Sequence, residues 1–158
     1  MKPQARSVLA LDVGRRRLGL AGCDALGLTV SPLAPLLRAA YPLDLAKVQV
    51  VVAQRRVRAL VVGLPLDAQQ RPTEQARHCR RYGERLARDL DLPLAWVNEH
   101  ASSWAAADQL QLHGDRSGAL DSAAAALLLE QWLVEGPEPL PVGAATIGSG
   151  HLDLVDPF

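Results

Sequence analysis

Three carboxylates stand where elements of this chain begin or end. Asp12 closes the apolar run Val8-Leu9-Ala10-Leu11, Glu99 follows Leu94-Ala95-Trp96-Val97, and Asp121 opens the Ala/Leu-rich stretch from Leu120 to Val134. Singly, each has an ordinary reading. Asp12 suits a turn, bonding nearby backbone N–H groups, and Glu99 and Asp121 suit the positive end of a helix dipole. As a set they point elsewhere, because clustered carboxylates repel one another. A divalent cation such as Mg²⁺ or Mn²⁺ removes that repulsion, since hard cations prefer oxygen ligands. Two such ions about 3.5–4 Å apart can activate water and stabilise the leaving oxygen of a phosphodiester. The chemistry expected of Asp12, Glu99 and Asp121 is therefore metal-assisted hydrolysis, provided the fold gathers them.

A second feature adjoins the first. Asp12-Val13-Gly14 runs straight into Arg15-Arg16-Arg17. Fifteen of the 17 basic residues are Arg, whose planar guanidinium suits bidentate phosphate contacts; the base composition of a genome can also enrich Arg. The formal net charge is zero, yet all 17 Lys and Arg and only 11 of the 17 acids lie at or before Arg116. That leaves six excess positive charges in the body and six acids with no Lys or Arg beyond it, compatible with a phosphate-bearing partner. The bland reading of the triple Arg is a solvated hairpin tip.

The elements that must position these residues follow from patterning. Ser7 to Val13 is apolar without alternation, as in a strand buried on both faces. Arg17 to Cys23 reads as a second strand joined to it by a tight turn at Gly14. Gly27 to Leu37 reads as a third, which Pro32 and Pro35 restrict to an edge or to irregularity. A helix is expected over Leu43 to Arg58, with Asp44 near its start, and a buried strand over Ala59 to Gly63. After a loop, Thr73 is the expected N-cap of a helix whose stripe is Ala76, Cys79, Gly83, Leu86 and Leu90. A strand over Pro93 to Asn98, a helix from Ser102 or Ser103 to about His113, a turn over Gly114 to Gly118 and a helix from Leu120 to Val134 complete the body. Strand–helix alternation in the second half implies parallel strands and right-handed crossovers.

Its 158 residues suit one domain with one core, here residues 1–135, followed by a Pro/Gly-containing acidic tail over 136–158. No apolar run is long enough to span a bilayer, and no signal-peptide pattern opens the chain; a soluble cytoplasmic protein without a membrane partner is expected. Cys23 and Cys79 lack a metal-ligand spacing and read as buried thiols. Trp96, Trp104 and Trp132 read as core. His78, His113 and His151 show no ligand spacing. An actin-like ATPase or sugar kinase also opens on an Asp-x-Gly turn, but the chain is too short for two lobes and carries no Walker motif.

The motifs Leu9-Ala10-Leu11-Asp12-Val13-Gly14-Arg15-Arg16-Arg17-Leu18-Gly19-Leu20-Ala21, Asp24-Ala25-Leu26-Gly27-Leu28-Thr29-Val30-Ser31-Pro32-Leu33, Val61-Val62-Gly63-Leu64-Pro65-Leu66, Asn98-Glu99-His100 and Leu120-Asp121-Ser122-Ala123-Ala124-Ala125 together resemble the YqgF/RuvX family of pre-16S rRNA nucleases and Holliday junction resolvases. The resemblance runs from Leu9 to about Leu133. It implies an α/β, RNase H-like fold: a mixed five-stranded sheet, a three-strand antiparallel meander plus two parallel strands, flanked by helices. It also implies a Mg²⁺- or Mn²⁺-dependent nuclease with a two-metal site held by Asp12, Glu99 and Asp121 as catalytic acids. Substrates would be structured or single-stranded RNA, or branched DNA, bound by a monomer or homodimer. Arg16 matches a basic position of the family's first turn, so Arg15, Arg16 and Arg17 become nucleic-acid contacts, joined by His100 and Ser102. This chain departs from the pattern where His100 replaces the family's Arg, where Ser102 and Ser103 replace two Thr, and where Asp67-Ala68-Gln69-Gln70 replaces an Asn and an Asp-Gly turn. The departures keep open a second class of function, a catalytically inactive nucleic-acid-binding module on the same fold.

Overall fold

The computed structural model describes residues 2–66, 69, 71–98 and 119–142, with the side chains of residues 119–121 left aside. The described elements are β1 (Val8–Val13), β2 (Arg17–Cys23), β3 (Val30–Leu37), α1 (Tyr41–Arg55), β4 (Ala59–Leu64), α2 (Glu74–Leu90), β5 (Leu94–Asn98) and α3 (Ala119–Glu135). The strands form one sheet in the order β3-β2-β1-β4-β5. β1 pairs antiparallel with β2, and β2 with β3, while β4 and β5 run parallel to β1. This is the expected meander plus two parallel strands. The carboxyl ends of β1, β4 and β5 therefore share one edge of the sheet.

Each face has its own apolar layer. Leu9, Leu11, Val13, Leu18, Leu20, Leu60 and Val62 pack with Val48 of α1 and Cys79, Tyr82 and Leu86 of α2. Val8, Ala10, Ala21, Cys23, Val61, Ala95 and Val97 pack with Ala125, Leu128, Leu129 and Trp132 of α3. The unbroken apolar runs of β1 and β4 are thus explained: alternate residues go to opposite layers. Both cysteines are buried thiols outside any disulfide. Trp132 is fully buried and Trp96 packs partly buried against the core. Trp104, the expected helix to His113 and the Gly114–Gly118 turn lie outside the described residues.

Boundaries moved where local chemistry outweighed pattern. The first helix runs over Tyr41–Arg55 and not Leu43–Arg58. Pro42 sits in its first turn, where its missing N–H costs nothing. Arg56 turns left-handed (φ 51°) and ends it. The third strand begins at Val30 and not Gly27, because Asp24 Oδ1 accepts from Leu28 and Thr29 N–H and holds the preceding residues in a turn. As Pro32 and Pro35 require, β3 is the edge strand, and its register against β2 shifts between Leu18 and Leu20. Thr73 caps α2 by accepting from Ala76 N–H at 3.0 Å. Beyond α3, Leu140 bridges to Leu94 on the outer edge of β5, and Trp132 Nε1 donates to Pro137 O at 2.7 Å. Glu138 pairs with Arg6 at 2.7 Å, at the amino edge of the sheet and away from Asp12.

Candidate functional site

Asp12 is the penultimate residue of β1, the central strand, and is partly buried. It stands directly across from Gly19 on β2. Alternation puts its side chain on the face of Val8 and Ala10, the layer covered by α3. Ala10, Gly19 and Ala21 leave that face low, and Ala125 of α3 packs into the same layer with Ala126 partly buried against it. Ser122 Oγ accepts from the Leu20 N–H at 3.4 Å. The first turn of α3 therefore lies over the strand pair that holds Asp12 and Gly19. Asp121 belongs to that turn, although its side chain is outside the described residues. β5 ends at Asn98 on the same edge, two strands from β1, or roughly 9–10 Å at the usual strand spacing. Glu99, His100 and Ser102 lie outside the described residues.

The turn after Asp12 is braced from three sides. Gly14 N–H donates to Arg17 O at 3.0 Å, and a Cβ on Gly14 would stand 2.8 Å from that same oxygen, so a side chain there would force the hairpin apart. Gln75 Nε2 and Cys79 Sγ of α2 both donate to Val13 O. Arg38, just past β3, donates from Nη1 to Gly14 O and from its backbone N–H to Arg16 O, each at 2.8 Å. Arg15 and Arg16 are exposed at the tip, and Arg17 is half-buried at the start of β2.

Arg38 is itself fixed. Its guanidinium lies 4.3 Å from the centre of the Tyr82 ring, 3.8 Å from Asp44 Oδ2 and 2.8 Å from His78 Nε2. Asp44 is buried, accepting from Ala39 N–H and Tyr82 Oη–H at 2.8 Å each. Burial, then the bond to Asp44, raises the Tyr82 hydroxyl far above its ordinary range. Burial, followed by Arg38, Arg81 and Arg15, lowers His78 below the ordinary imidazole range. A neutral His78 is the form that accepts from Arg38. Sequence reading gave Asp44 only a place near a helix start and assigned nothing to Arg38 or His78. The one available signal was the spacing of His78, Arg81, Arg85 and Arg88, which repeat on one side of α2.

A carboxylate is the donor that Mg²⁺ or Mn²⁺ selects, and Asp12 offers one at the sheet edge. Among the described residues, no three His, Cys, Asp or Glu gather around one point; Glu99 and the Asp121 side chain are not among them. Also among the described residues, no helix is long and apolar enough to cross a membrane.

Comparison with known proteins decides the family. Residues 6–135 match the family described as "RuvX: Holliday junction resolvase". The chain belongs to the RuvX family. Within it, a protein of Synechococcus sp. (strain CC9605) is 63% identical over 150 residues, covering 95% of each chain. One of Prochlorococcus marinus (strain MIT 9313) is 65% identical over 144 residues, covering 91% of this chain and 89% of its own. Both carry the name "Putative pre-16S rRNA nuclease". Among solved structures, T. thermophilus RuvC in complex with Holliday junction substrate aligns with a TM-score of 0.55 at 19% identity, covering 85% of this chain and 99% of that one. At that identity the likeness establishes the fold, and it bears out the α/β reading. The RuvX match likewise bears out the reading of a nuclease of this family.

Proposed function

We propose that this RuvX chain is a divalent-metal-dependent nuclease that hydrolyses phosphodiester bonds in precursor 16S ribosomal RNA. The observation that carries the proposal is the position of Asp12, at the carboxyl end of the central strand, facing α3, with the first turn of α3 above its strand pair. Asp121 belongs to that turn. Ala95 and Val97 of β5 face the same layer, and continuing their alternation supports Glu99 as the third acid. The relatives that match almost end to end favour RNA over a four-way DNA junction. A cytoplasmic setting, where such RNA is made, fits the same reading.

In this scheme Asp12, Glu99 and Asp121 hold the metal. When bound, Mg²⁺ or Mn²⁺ would neutralise the negative charge that develops on the phosphate and lower the pKa of water. The chain's own contribution is position. β1 fixes Asp12, the Gly14 turn fixes the neighbouring backbone, and Arg15, Arg16 and Arg17 meet phosphates flanking the scissile bond. His100 and Ser102 are proposed to contact the strand beyond Glu99.

The test is cleavage of a labelled precursor 16S RNA fragment and a four-way DNA junction, side by side, with Mg²⁺ or Mn²⁺, using wild type and Asp12→Asn. RNA cleavage that needs metal and disappears in Asp12→Asn is expected. Preferential junction cleavage would replace the substrate assignment. Binding without cleavage of either would replace the enzyme by an inactive binding module.

A further inference from the structure

The second face of the sheet carries a groove that, beyond Arg15 at its end, the proposed chemistry does not use. Two adjoining cavities of about 480 and 460 Å³ share Arg38, Ala39, His78 and Arg81. One reaches Arg15 at the hairpin tip and the other runs along α2 past Arg85 and Arg88. Together they form a trough from the hairpin tip along α2, walled on its other side by Arg38, Ala39 and the start of α1 at Tyr41 and Asp44.

The charges lining it are unbalanced. The acids along the trough are already engaged: Asp44 with Tyr82 and Arg38, Glu74 with Arg77, Glu84 with Arg80, and Asp89 with Tyr41. Among the described residues, no carboxylate lies within ion-pair distance of Arg15, Arg81, Arg85 or Arg88. Arg85 is instead spread over the Tyr41 ring, 3.6 Å from its centre. Arg81, Arg85 and Arg88 repeat along one side of α2, spanning about 10 Å of helix at 1.5 Å per residue. Lining up like charges costs free energy unless an anion with the same repeat neutralises them.

We infer that this trough binds a single-stranded segment of the nucleic-acid substrate, with Arg15, Arg81, Arg85 and Arg88 on successive phosphates. This rests on the nuclease reading only in its choice of ligand. A concave basic track with guanidinium–aromatic stacks along its wall suits a flexible strand whose bases can stack, whereas a rigid duplex keeps its bases stacked inside and offers such a wall only its phosphates. The strand would leave the cleavage edge over the hairpin tip, so that the reaction site and the holding site are on opposite faces of one sheet. His78 sits under the track, its pKa held below the ordinary imidazole range by burial and then by Arg38, Arg81 and Arg15.

The test uses the full chain without added metal, so it does not depend on catalysis. A labelled 20-nucleotide oligouridylate and a 20-base-pair RNA duplex are titrated by fluorescence anisotropy at several salt concentrations. The key variant is Arg81→Ala/Arg88→Ala, since neither arginine braces the fold; thermal unfolding confirms that it folds. Arg81→Lys/Arg88→Lys keeps the charge, and Arg77→Ala, paired with Glu74, is the control. Loss of two phosphate contacts should lower the slope of log affinity against log salt by about 1.4 for a single strand. It should also weaken binding roughly tenfold at 0.1 M salt, with the Lys variant recovering most of it and Arg77→Ala unchanged. An unchanged slope and affinity in the folded Ala variant would overturn the inference. So would a larger effect on the duplex than on the single strand. Failure of the nuclease reading would look different: these binding results would stand while wild type cut nothing.

Discussion

The two faces of the sheet are built from opposite materials. The helix over the Asp12 face, α3, holds no Lys or Arg in its 17 residues, and buries Ala125, Leu128, Leu129 and Trp132. The helix on the other face, α2, also has 17 residues but carries five Arg: Arg77, Arg80, Arg81, Arg85 and Arg88. The difference has an electrostatic logic. A carboxylate proposed to take a cation would instead be held by an arginine close enough to pair with it. Phosphates meant to be gripped need those same arginines. Placing the sheet between the α2 arginines and Asp12 lets one small domain carry both, and the faces meet at the hairpin, where strand alternation puts Arg17 on the Asp12 side.

The largest effect that sharpens this contrast is on Asp12. Asp12→Asn should abolish metal-dependent cleavage, at least a 100-fold loss on the scale of single electrostatic stabilisers. It should leave strand binding through the α2 face intact. With metal chelated it should also melt at the same or a higher temperature, because one repelling charge is gone. Comparable losses of cleavage and binding would mean that the faces are not separate.

Next comes Trp132→Ala, which attacks the packing of α3. The indole is fully buried and bonded to Pro137 O, so the loss should be about 3–5 kcal/mol in denaturant unfolding. Cleavage should fall where the protein is still folded, because α3 no longer sits firmly over Asp12. On the other face, Thr73→Ala removes the α2 cap and the Thr73 bond to Pro65 O, costing about 1 kcal/mol by the same measurement.

The smallest effect is a pH dependence. His78 has its pKa lowered by burial and then by Arg38, Arg81 and Arg15. Between that lowered value and the ordinary ~6.5, the unfolded chain binds more protons than the folded one. Stability therefore rises with pH through this window and is lost as pH falls through it. His78→Gln should flatten the slope measured by urea unfolding between pH 5 and pH 7. Bound oligonucleotide should flatten it too, by favouring protonated His78. A slope unaltered by either would remove His78 from the charge balance of the arginine face.

Much was legible in the chain because its causes are local. The meander, the edge position of Pro32 and Pro35, the buried strand Ala59–Leu64, the Thr73 cap and the α3 stretch depend on neighbours within a few residues. The place of Asp12 near the end of β1 was legible as well, since a carboxylate closing an apolar run before Gly14 stands out in the sequence itself. Tertiary structure alone decided which residues share a face and an edge. The shared carboxyl edge of β1, β4 and β5 depends on strand order, which no local pattern encodes. The burial of Asp44 came from Tyr82, 38 positions away, and the contact between Arg38 and His78 spans 40. The arginine trough was hidden for the same reason: Arg15, Arg38 and the α2 stripe are far apart in sequence, and only the fold brings them to line adjoining cavities.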